Sequence, residues 1–530
     1  MPCKGALVGM TDQIFDLLII GAGASGSSVA YEATRRGLKV ALLEAGDIGG
    51  ATSCRSTKLL HGGVRYLELA FKTFDLAQFQ LVREALLERG HWLKQAPFLA
   101  HPLELALPTD NILGQGYYRV GLGIYDALSG RQRISSSRLL SSKQIQKALP
   151  LLRRGSNGGV VYSDGQFNDA RLNLLMALTA ERAGAILRTR CRVMQLERDS
   201  TGRISGAISI NISGKEERWR AHAVVNATGI RADSLRQMAQ EDIEERMLTS
   251  RGVHLVLEEN LCPEGIGLLL PATDDGRVLF MLPFFGRTLV GTTDTPCPLN
   301  EACEPSESEK SYLISYVNRW FPTLKQPVIS SSWAGGRPLL KPAGDQINSS
   351  RVVREHEVET LPGGLISVMG GKWTTCRPMA VDTLNAVAAL LGNSLPDGSS
   401  LPLIGSAPTP QETTSQLNDQ LTQLRDLLPK SPFAESQIEH LQSTYGLEAL
   451  PMVEESSTED LFPLSEVVPV CKAEINRAIK TEHAYTPTDV LARRCRLAMI
   501  DQKEAFKLLP VVQEALCQEG KPEGELNLQT

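Results

Sequence analysis

One segment contains several residues that could take part in chemistry: cations and a titratable ring lie around two adjacent glycines. Residues 56–68 read STKLLHGGVRYLE and contain Lys58, His61, Arg65 and Tyr66. An imidazole titrates near neutral pH, and lysine and arginine bind anions, so these residue types suit a pocket for an anionic substrate. A solvated basic loop is the alternative interpretation of the same residues.

Two later segments also place a cation beside paired glycines. GGRPL (335–339) contains Arg337, and GGKWTT (370–375) contains Lys372. Arginine can bind phosphate through two parallel N–H groups, whereas lysine acts as a point charge. Thr374 and its neighbour are expected to cap a following helix, whose N-terminus would add partial positive charge. Three such elements favour an anion-binding pocket over three unrelated loops.

A glycine-rich turn near the start of the chain is typical of dinucleotide binding. Gly21, Gly23 and Gly26 follow the apolar run at 15–20, and Glu44 ends a second apolar strand. The first glycine permits the turn, the second lets the backbone approach a pyrophosphate, and the third allows the helix to pack on the strand. Free N–H groups at the helix start can bind phosphate, and Glu44 can accept hydrogen bonds from a ribose, which favours FAD or NAD over NADP.

A loop of small residues follows Glu44 and includes Thr52 and Ser53. Such a loop lets a bulky ring system lie close to the backbone, which favours FAD over NAD. The strand and turn AVVNATG (223–229), which ends at Gly229, could approach the same cofactor. A plain sheet strand followed by a turn remains the alternative for this segment.

Several elements must position these residues. The pattern predicts strands at 159–163, 186–195, 204–211, 222–228, 252–257, 278–282, 287–292 and 364–368, and helices near 67–95, 168–184, 307–320 and 374–391. Because no simple alternation of strand and helix accounts for this order, we expect two sheets. Helical spacing after the Pro- and Ser-rich stretch 393–411 predicts a C-terminal helical domain.

The composition excludes several classes of protein. The chain has 530 residues, 42% of them hydrophobic, with a net charge of −5, which argues against a general nucleic-acid binder. The ten cysteines contain no Cys-x-x-Cys pair, so a reduced intracellular chain is expected. No apolar run is long enough to predict a membrane span, and the first residues do not resemble a signal or transit peptide.

Other candidate groups are interpreted as structural. Asp164, Asp169 and Asp294 lack accompanying His or Cys spacing, so turns and helix starts are expected there and no metal site is predicted. Cys54 is assigned to ordinary packing. The basic cluster at 493–496 is expected to be solvated or paired within the chain, with contact to the flavin domain or to acidic lipid as the alternative.

In chain order, STKLLHGGVRYLE, YSDGQFNDARL, VVNATG, GTTDT, GGRPL and GGKWTT resemble the FAD-dependent glycerol-3-phosphate dehydrogenases of the bacterial aerobic type. The resemblance covers about residues 14 to 500. It implies an α/β and α+β fold: a Rossmann-like FAD-binding domain of the glycine-oxidase and amino-acid-oxidase type, a mixed-sheet substrate domain and an all-helical C-terminal domain. We assign 14–95, 155–245 and 350–400 to the FAD domain, 96–154 and 246–349 to the substrate domain, 401–411 to a linker and 412–518 to the helical domain.

The resemblance also implies partners and site residues. FAD would oxidise sn-glycerol 3-phosphate to dihydroxyacetone phosphate, with electrons passing to a quinone at the membrane. Arg65, Tyr66, Arg337 and Lys372 would bind the substrate. The residues expected to bind FAD are Gly21, Gly23, Ala24, Gly26, Glu44, Thr52, Ser53, Thr57, Lys58, Gly229, Gly371 and Thr374.

The proton acceptor stays open between two interpretations. His61 has a suitable ordinary pKa for a base, but it could instead orient the hydroxyl or pack beneath the flavin. Arg337 could stabilise a developing alkoxide, so we count His61, Arg337 and Lys372 as catalytic candidates. An oxygen-dependent glycerol-3-phosphate oxidase would use the same residues, and another FAD enzyme of a small anion, a flavin-binding protein without catalysis or an NAD-linked dehydrogenase are further alternatives. We expect a cytoplasmic protein that is peripheral on the inner face of the cytoplasmic membrane, and a homodimer.

Overall fold

A computed structural model describes residues 13–64, 76–271, 273–341 and 356–529. Arg65 and Tyr66 lie outside these residues, as does the first part of the helix expected at 67–95. The chain divides into two compact units. The first consists of residues 1–53, 173–249 and 337–401, and the second of residues 54–172, 250–336 and 402–530.

The described residues form eighteen strands in two sheets, as the strand order had predicted. In chain order the strands are β1 (Ile14–Ile20), β2 (Val40–Leu43), β3 (Leu59–Leu60), β4 (Ala100–Pro108), β5 (Arg138–Leu140), β6 (Gly159–Phe167), β7 (Ile186–Arg188), β8 (Cys191–Arg198), β9 (Ile204–Asn211), β10 (Glu216–Asn226), β11 (Met247–Leu257), β12 (Ile266–Leu270), β13 (Leu279–Phe284), β14 (Arg287–Gly291), β15 (Thr295–Pro296), β16 (Ile329–Leu340), β17 (His356–Thr360) and β18 (Leu365–Gly370).

The helices lie between groups of these strands and then continue alone at the C-terminus. They are α1 (Ala24–Arg35), α2 (Leu76–Gln95), α3 (Ile112–Leu128), α4 (Ser142–Ala148), α5 (Asp169–Arg182), α6 (Ala232–Ala239), α7 (Glu307–Trp320), α8 (Cys376–Leu391), α9 (Pro410–Leu427), α10 (Ala434–Tyr445), α11 (Ala449–Glu454), α12 (Lys472–Thr481), α13 (Leu497–Ile500) and α14 (Gln502–Gln518). A π-helical segment, Asp489–Arg494, precedes α13.

The first unit is built on the sheet β17-β18-β10-β1-β2-β7, to which β9 adds on β10 and β8 adds on β9. Strands β2, β1, β10 and β18 run parallel, and β1 is sandwiched between β2 and β10. The continuous apolar sequence of β1 and β2 follows from this position, since strands of a parallel sheet are covered on both faces. Helices α1 and α8 pack against each other.

The second unit is built on the sheet β15-β11-β14-β13-β12-β4-β6-β3, with β5 on β6 and β16 on β11. Strand β6 is buried along its whole length and pairs antiparallel with β4 over nine residues. One hydrophobic cluster joins this sheet to the C-terminal helices, because buried side chains of β4, β6 and β13 belong to the same cluster as those of α12 and α14.

The observed division therefore follows different boundaries from those assigned on the sequence. Residues 54–95 belong to the second unit, since Leu59 and Leu60 pair with β6. The C-terminal helices form one compact unit with the second sheet because they share its core. Residues 412–518 are thus helical, as expected, but they belong to the second compact unit and do not form a unit of their own.

Candidate functional site

Several of the residues expected to bind the cofactor lie at one edge of the first sheet. The parallel register sets Ile20 beside Leu43 and Asn226, and sets Asn226 beside Ser367. The carboxyl ends of four parallel strands therefore lie together, which is where doubly wound sheets bind ligands. Gly21, Glu44 and Gly371 directly follow their strands, and Gly229 and Lys372 lie in the turns after β10 and β18.

The glycine turn after β1 leaves no space for side chains at two positions. Gly21 has φ +102°, and a Cβ there would lie 2.7 Å from the carbonyl oxygen of Ala227. A Cβ on Gly26 would collide with the carbonyl oxygen of Gly21. The turn and the packing of α1 on β1 thus require glycine for the reasons that the motif implied.

The start of α1 is suited to an anion. Its N-cap is Gly23, and no acidic residue occupies its first turn. A Cβ on Gly23 would have one neighbour within 4 Å, the hydroxyl of Ser53 at 3.2 Å, so the backbone is otherwise open at this point. Ser53 Oγ accepts a hydrogen bond from Ala24 N at 2.9 Å and thereby caps the helix from a distant loop.

An asparagine that the sequence analysis missed supports the same turn. Asn173 is fully buried, and its Nδ2 donates to the carbonyl oxygen of Ala22 at 3.0 Å. The same oxygen accepts hydrogen bonds from Gly49 N and from Ser27 Oγ. Asn173 follows the quoted segment YSDGQFNDARL by one residue, but neither its type nor its spacing indicates this contact.

Glu44 lies where a ribose-binding carboxylate is expected. Its Oε2 accepts a hydrogen bond from Ala22 N at 2.8 Å, and its Oε1 accepts one from Gly46 N at 2.7 Å. Burial raises the pKa of Glu44, against the lowering effect of these two N–H donors. A carboxylate has about four acceptor positions, so two hydrogen bonds leave capacity for ribose hydroxyls.

The last residue of β10, Asn226, orders the turn that follows the strand. Asn226 Oδ1 accepts hydrogen bonds from Thr228 N and Thr228 Oγ1, while its Nδ2 donates to Ser367 Oγ. Gly229 follows with φ +59° and has open space where a Cβ would lie. The segment is therefore a strand with an ordered turn, and an open glycine backbone lies beside the other turns of this edge.

Lys372 and Thr374 lie on the short segment between β18 and α8. Gly371 has φ +83°, and a Cβ there would overlap the Met379 sulfur. The expectation that the threonines cap α8 is wrong: the helix begins at Cys376, and Thr375 at the N-cap gives no side-chain cap. The Thr375 hydroxyl instead donates to the Lys372 carbonyl oxygen at 3.3 Å.

This segment is tied to the loop that follows Glu44. Trp373 Nε1 donates a hydrogen bond to the carbonyl oxygen of Ser53 at 2.9 Å, and Thr374 is buried. Ser53 therefore contacts both α1 and the GGKWTT segment. Thr52 lies with Ser53 on the same short 3-10 turn.

Two of the three cations proposed for the substrate belong to the first unit. Arg337 lies near the end of β16, Lys372 follows β18, and both side chains are half-buried. The third, Arg65, lies outside the described residues together with Tyr66. The placement of all three cations relative to one another therefore stays a prediction.

Lys58 lies in the second unit, and its charge is neutralised there. Its side chain is buried, and Nζ donates to Asp169 Oδ2 at 2.6 Å and to the Cys54 carbonyl oxygen at 2.8 Å. Burial lowers the pKa of Lys58 to about 8, against the raising effect of Asp169. The assignment of Lys58 to the cofactor stays untested, but its ammonium is not a free point charge for an anion.

The buried Asp169 carboxylate accepts hydrogen bonds from several side chains and so holds neighbouring segments together. Besides Lys58 it accepts hydrogen bonds from Ser56 and from Arg496. Arg493 pairs with Asp489, and Arg494 donates to the Glu482 carbonyl oxygen. The basic cluster at 493–496 is thus buried and paired within the chain, so the expected intramolecular pairing is confirmed and the solvated alternative is wrong.

Thr57 contacts a histidine that the sequence analysis did not single out. Thr57 Oγ1 lies 3.0 Å from His254 Nε2, and the His254 ring stacks on Trp333 with centroids 5.7 Å apart. His61 is half-buried, with its ring centroid 6.2 Å from that of Phe280. No sequence signal could have found His254, because 197 positions separate it from Thr57.

The donors at the sheet edge fit FAD. The chemistry of the set matches the ligand: backbone N–H groups at the start of α1 suit a pyrophosphate, and the Glu44 carboxylate suits a ribose. Gly23 and Gly229 leave open the space that side chains would fill. Within the described ranges, no group of three or more His, Cys, Asp or Glu could hold a metal ion.

Two family models match the chain. Residues 16–377 match the model described as FAD dependent oxidoreductase, which covers more than half of the chain. Residues 398–521 match the model described as C-terminal domain of alpha-glycerophosphate oxidase. The fold and the cofactor edge thus define an FAD-dependent oxidoreductase with a second, C-terminal family domain.

Similar proteins identify the family within the FAD-dependent oxidoreductases. The chain is 38% identical over 522 residues to the mitochondrial glycerol-3-phosphate dehydrogenase of Bos taurus, with 95% of this chain and 70% of the relative covered. It is 37% identical over 537 residues to the mitochondrial glycerol-3-phosphate dehydrogenase SDP6 of Arabidopsis thaliana, with 98% and 85% covered. The chain belongs to the FAD-dependent glycerol-3-phosphate dehydrogenase family.

Solved structures agree with this family. The glycerol-3-phosphate dehydrogenase from Bacillus halodurans complexed with FAD superposes with a TM-score of 0.76 at 26% identity, and 96% of this chain and 91% of that chain are covered. The glycine oxidase from Geobacillus kaustophilus superposes with a TM-score of 0.53 at 19% identity, with 72% and 95% covered, which concerns the fold alone. The expected glycine-oxidase type of fold is thus confirmed.

Proposed function

We propose that the chain oxidises sn-glycerol 3-phosphate to dihydroxyacetone phosphate and passes the electrons to a quinone. The observation that carries this proposal is the meeting of Gly21, Glu44, Gly229 and Lys372 at one sheet edge, with Arg337 in the same unit. The family supports the substrate, and the half-buried cations suit its phosphate.

Bound FAD supplies a ring that accepts a hydride. The chain's own residues do the remaining work. Arg337 and Lys372, with Arg65 and Tyr66 as expected partners, bind the phosphate and hold the second carbon in position. His61 takes the proton of the hydroxyl at an imidazole nitrogen, and Arg337 stabilises the developing negative charge on that oxygen.

Anaerobic addition of sn-glycerol 3-phosphate to the FAD-loaded protein tests the reaction directly. Loss of the oxidised flavin absorbance is expected for the wild type. Arg337→Ala should weaken this step by about 2–5 kcal/mol, which is roughly thirty- to several-thousand-fold. His61→Asn should bleach slowly while FAD stays bound. Unchanged bleaching of His61→Asn across pH would exclude His61 as the base.

The electron acceptor distinguishes a glycerol-3-phosphate dehydrogenase, which reduces a quinone, from an oxidase, which reduces oxygen. A dehydrogenase reduces a soluble quinone analogue and yields little peroxide in air, whereas an oxidase yields about one peroxide for each substrate. We expect quinone reduction, because the relatives that match over most of this chain are named dehydrogenases. Stoichiometric peroxide with slow quinone reduction would instead favour the oxidase.

Peripheral membrane contact has a candidate surface on α3. Ile112, Leu113, Tyr117 and Val120 are 53–88% exposed, and the helix contains no carboxylate before Asp126. An exposed apolar helix face of this kind suits the interface of a bilayer. In the described ranges, none of the helices has the length and hydropathy of a bilayer span.

Flotation with vesicles tests this surface. We expect the FAD-loaded protein to float with vesicles of phosphatidylglycerol and phosphatidylethanolamine, and Leu113→Asp to float less. Phe506→Asp is the matched control, because Phe506 is 54% exposed on α14. Equal flotation of the two variants would reject α3 as the contact. Homodimerisation stays a prediction.

A further inference from the structure

A buried polar network lies beneath the loop that contains His61. Its members are Asp164 on β6, Arg89 on α2 and Tyr125 on α3, each at most 1% exposed. Arg89 Nη1 donates to Asp164 Oδ1 at 2.7 Å, and the Tyr125 hydroxyl donates to the same oxygen at 2.9 Å. Asp164 was expected in a turn, but it lies inside a strand at the centre of this network.

The Tyr125 hydroxyl connects the network to the loop. Its oxygen accepts a hydrogen bond from Gly62 N at 2.7 Å. Gly62 also packs closely, since a Cβ there would lie 2.8 Å from Leu86 Cγ and 3.0 Å from Tyr125 Cε2. The main chain next to His61 is therefore held by one hydrogen bond and by contact with two buried side chains.

We propose that Tyr125 is a positioning residue: its hydroxyl fixes the main chain at Gly62 and so sets the direction in which His61 presents its imidazole. The hydroxyl can do both tasks because its one proton goes to Asp164 while its oxygen accepts from Gly62. Asp164 and Arg89 hold the hydroxyl in this orientation. The proposal rests on the proposed role of His61 in the reaction.

A second tyrosine provides a matched control. Tyr162 lies on β6 and is also buried, and its ring packs edge-on against that of Tyr125 with centroids 5.7 Å apart. Its hydroxyl lowers the pKa of Asp164, as the Tyr125 hydroxyl does. Tyr125→Phe and Tyr162→Phe thus each remove a hydroxyl that acts on the same carboxylate, but only the first removes the acceptor of Gly62 N.

The two variants should shift the pKa of Asp164 in the same direction. Burial raises the pKa of Asp164 to about 6, while Arg89, Tyr125 and Tyr162 each lower it. Loss of either hydroxyl should raise this pKa further. Any change in rate that arises through the charge of Asp164 should therefore appear in both variants, and an effect through the loop should appear in Tyr125→Phe alone.

Rapid anaerobic mixing of the FAD-loaded proteins with sn-glycerol 3-phosphate tests the proposal across pH. For Tyr125→Phe we expect the limiting rate of flavin reduction to fall about tenfold or more at every pH, because small displacements of a reacting group are costly. The dissociation constant for the substrate should change less than the rate. Tyr162→Phe should stay within about twofold of the wild type at pH 7–8.

Hydrogen exchange of the FAD-loaded protein without substrate gives a second readout. Peptides that cover residues 59–64 should exchange faster in Tyr125→Phe and at the wild-type rate in Tyr162→Phe. Equal rates and equal exchange in the two variants would overturn the proposal. If Tyr125→Phe does not fold, the wild type decides: a Gly62 amide that exchanges as fast as an exposed one would also overturn it.

The role of His61 can fail separately. Normal flavin reduction in His61→Asn with slow reduction in Tyr125→Phe would remove His61 as the base and keep the positioning of the loop. Slow reduction in His61→Asn with equal, normal rates in both tyrosine variants would keep His61 and reject Tyr125. No flavin reduction in the wild type would reject the proposed function itself, and the exchange readout would still test the loop.

Discussion

Two glycine-containing turns are supported in different ways. The turn at 21–26 is held by backbone packing and by hydrogen bonds to loops elsewhere in the chain, such as the one that Ala24 N donates to Ser53 Oγ. The loop at 61–64 lies on a buried carboxylate and guanidinium that come from separate elements. The first should therefore respond most to added volume, and the second to the loss of charge or of a hydroxyl.

The difference also explains what the sequence could reveal. The first turn obtains its function from backbone N–H groups, so glycine spacing and the terminal Glu44 are sufficient signals. The second obtains its shape from side chains that lie 24–102 positions from Gly62, such as Leu86 and Asp164, and nothing in the local sequence indicates them.

The largest expected effect is an added methyl group in the first turn. In Gly26→Ala the Cβ collides with the Gly21 carbonyl oxygen, so α1 must move away from the turn and FAD should be lost on purification. Gly116→Ala is the control, since open space surrounds a Cβ at that position of α3. Flavin absorbance per protein measures both. Full FAD content in Gly26→Ala would show that the turn is not limited by packing.

The next effect concerns the charge under the second loop. Arg89→Met leaves Asp164 buried without its cation and should destabilise the protein by about 3–5 kcal/mol. Arg425→Met removes the same group from an exposed pair with Glu435 and should change stability much less, because solvent screens exposed charges. Urea unfolding followed by tryptophan fluorescence compares them. Similar midpoints would mean that the buried pair contributes no more than the exposed one.

Much of the fold was predictable and part of the site was not. The helix at 307–320 and the strand at 204–211 were predicted with their observed bounds, because caps and apolar runs mark them locally. Helix α3 and strand β16 were missed. Helix α3 contains four glycines and exposes apolar side chains, so its pattern does not resemble an amphipathic helix buried on one face.

The site shows the same limit. Glu44 and the glycines were predicted to lie together, and the parallel register brings them to one edge. Lys58 was assigned to the cofactor from a segment expected to bind an anion, yet its ammonium pairs with Asp169, which lies 111 positions away. Which lysine remains charged and exposed is set by tertiary pairing, so residue type alone cannot decide it.

A smaller effect, the pH dependence of stability, shows whether burial or Arg89 dominates the pKa of Asp164. Because its folded pKa is raised, the folded protein binds the proton more tightly than the unfolded chain, and stability falls as pH rises from about 4 to 6. Asp164→Asn lacks this titration. The stability of wild type relative to Asp164→Asn should therefore increase by about 1 kcal/mol from pH 7 to pH 5.

Urea unfolding of both proteins at the two pH values measures this difference, and acid effects elsewhere in the chain cancel. An unchanged or reversed difference would mean that Arg89 outweighs burial and holds the pKa of Asp164 at or below its ordinary value. The loop would then lie on a fully ionised pair at every pH of interest.

The smallest expected effect is in the first turn and concerns a hydrogen bond. Ser53→Ala removes the acceptor of Ala24 N and should destabilise the protein by about 1 kcal/mol, as for other lost helix caps. Ser141→Ala removes a cap of the same kind from α4, so its stability loss should be similar. FAD affinity distinguishes the two, because only Ser53 adjoins the phosphate-binding end of α1. A dissociation constant for FAD that rises by up to tenfold in Ser53→Ala alone is expected, since tenfold corresponds to about 1.4 kcal/mol. An equal FAD affinity in both variants would mean that packing of the glycines, without the distant hydroxyl, holds the turn in its binding shape.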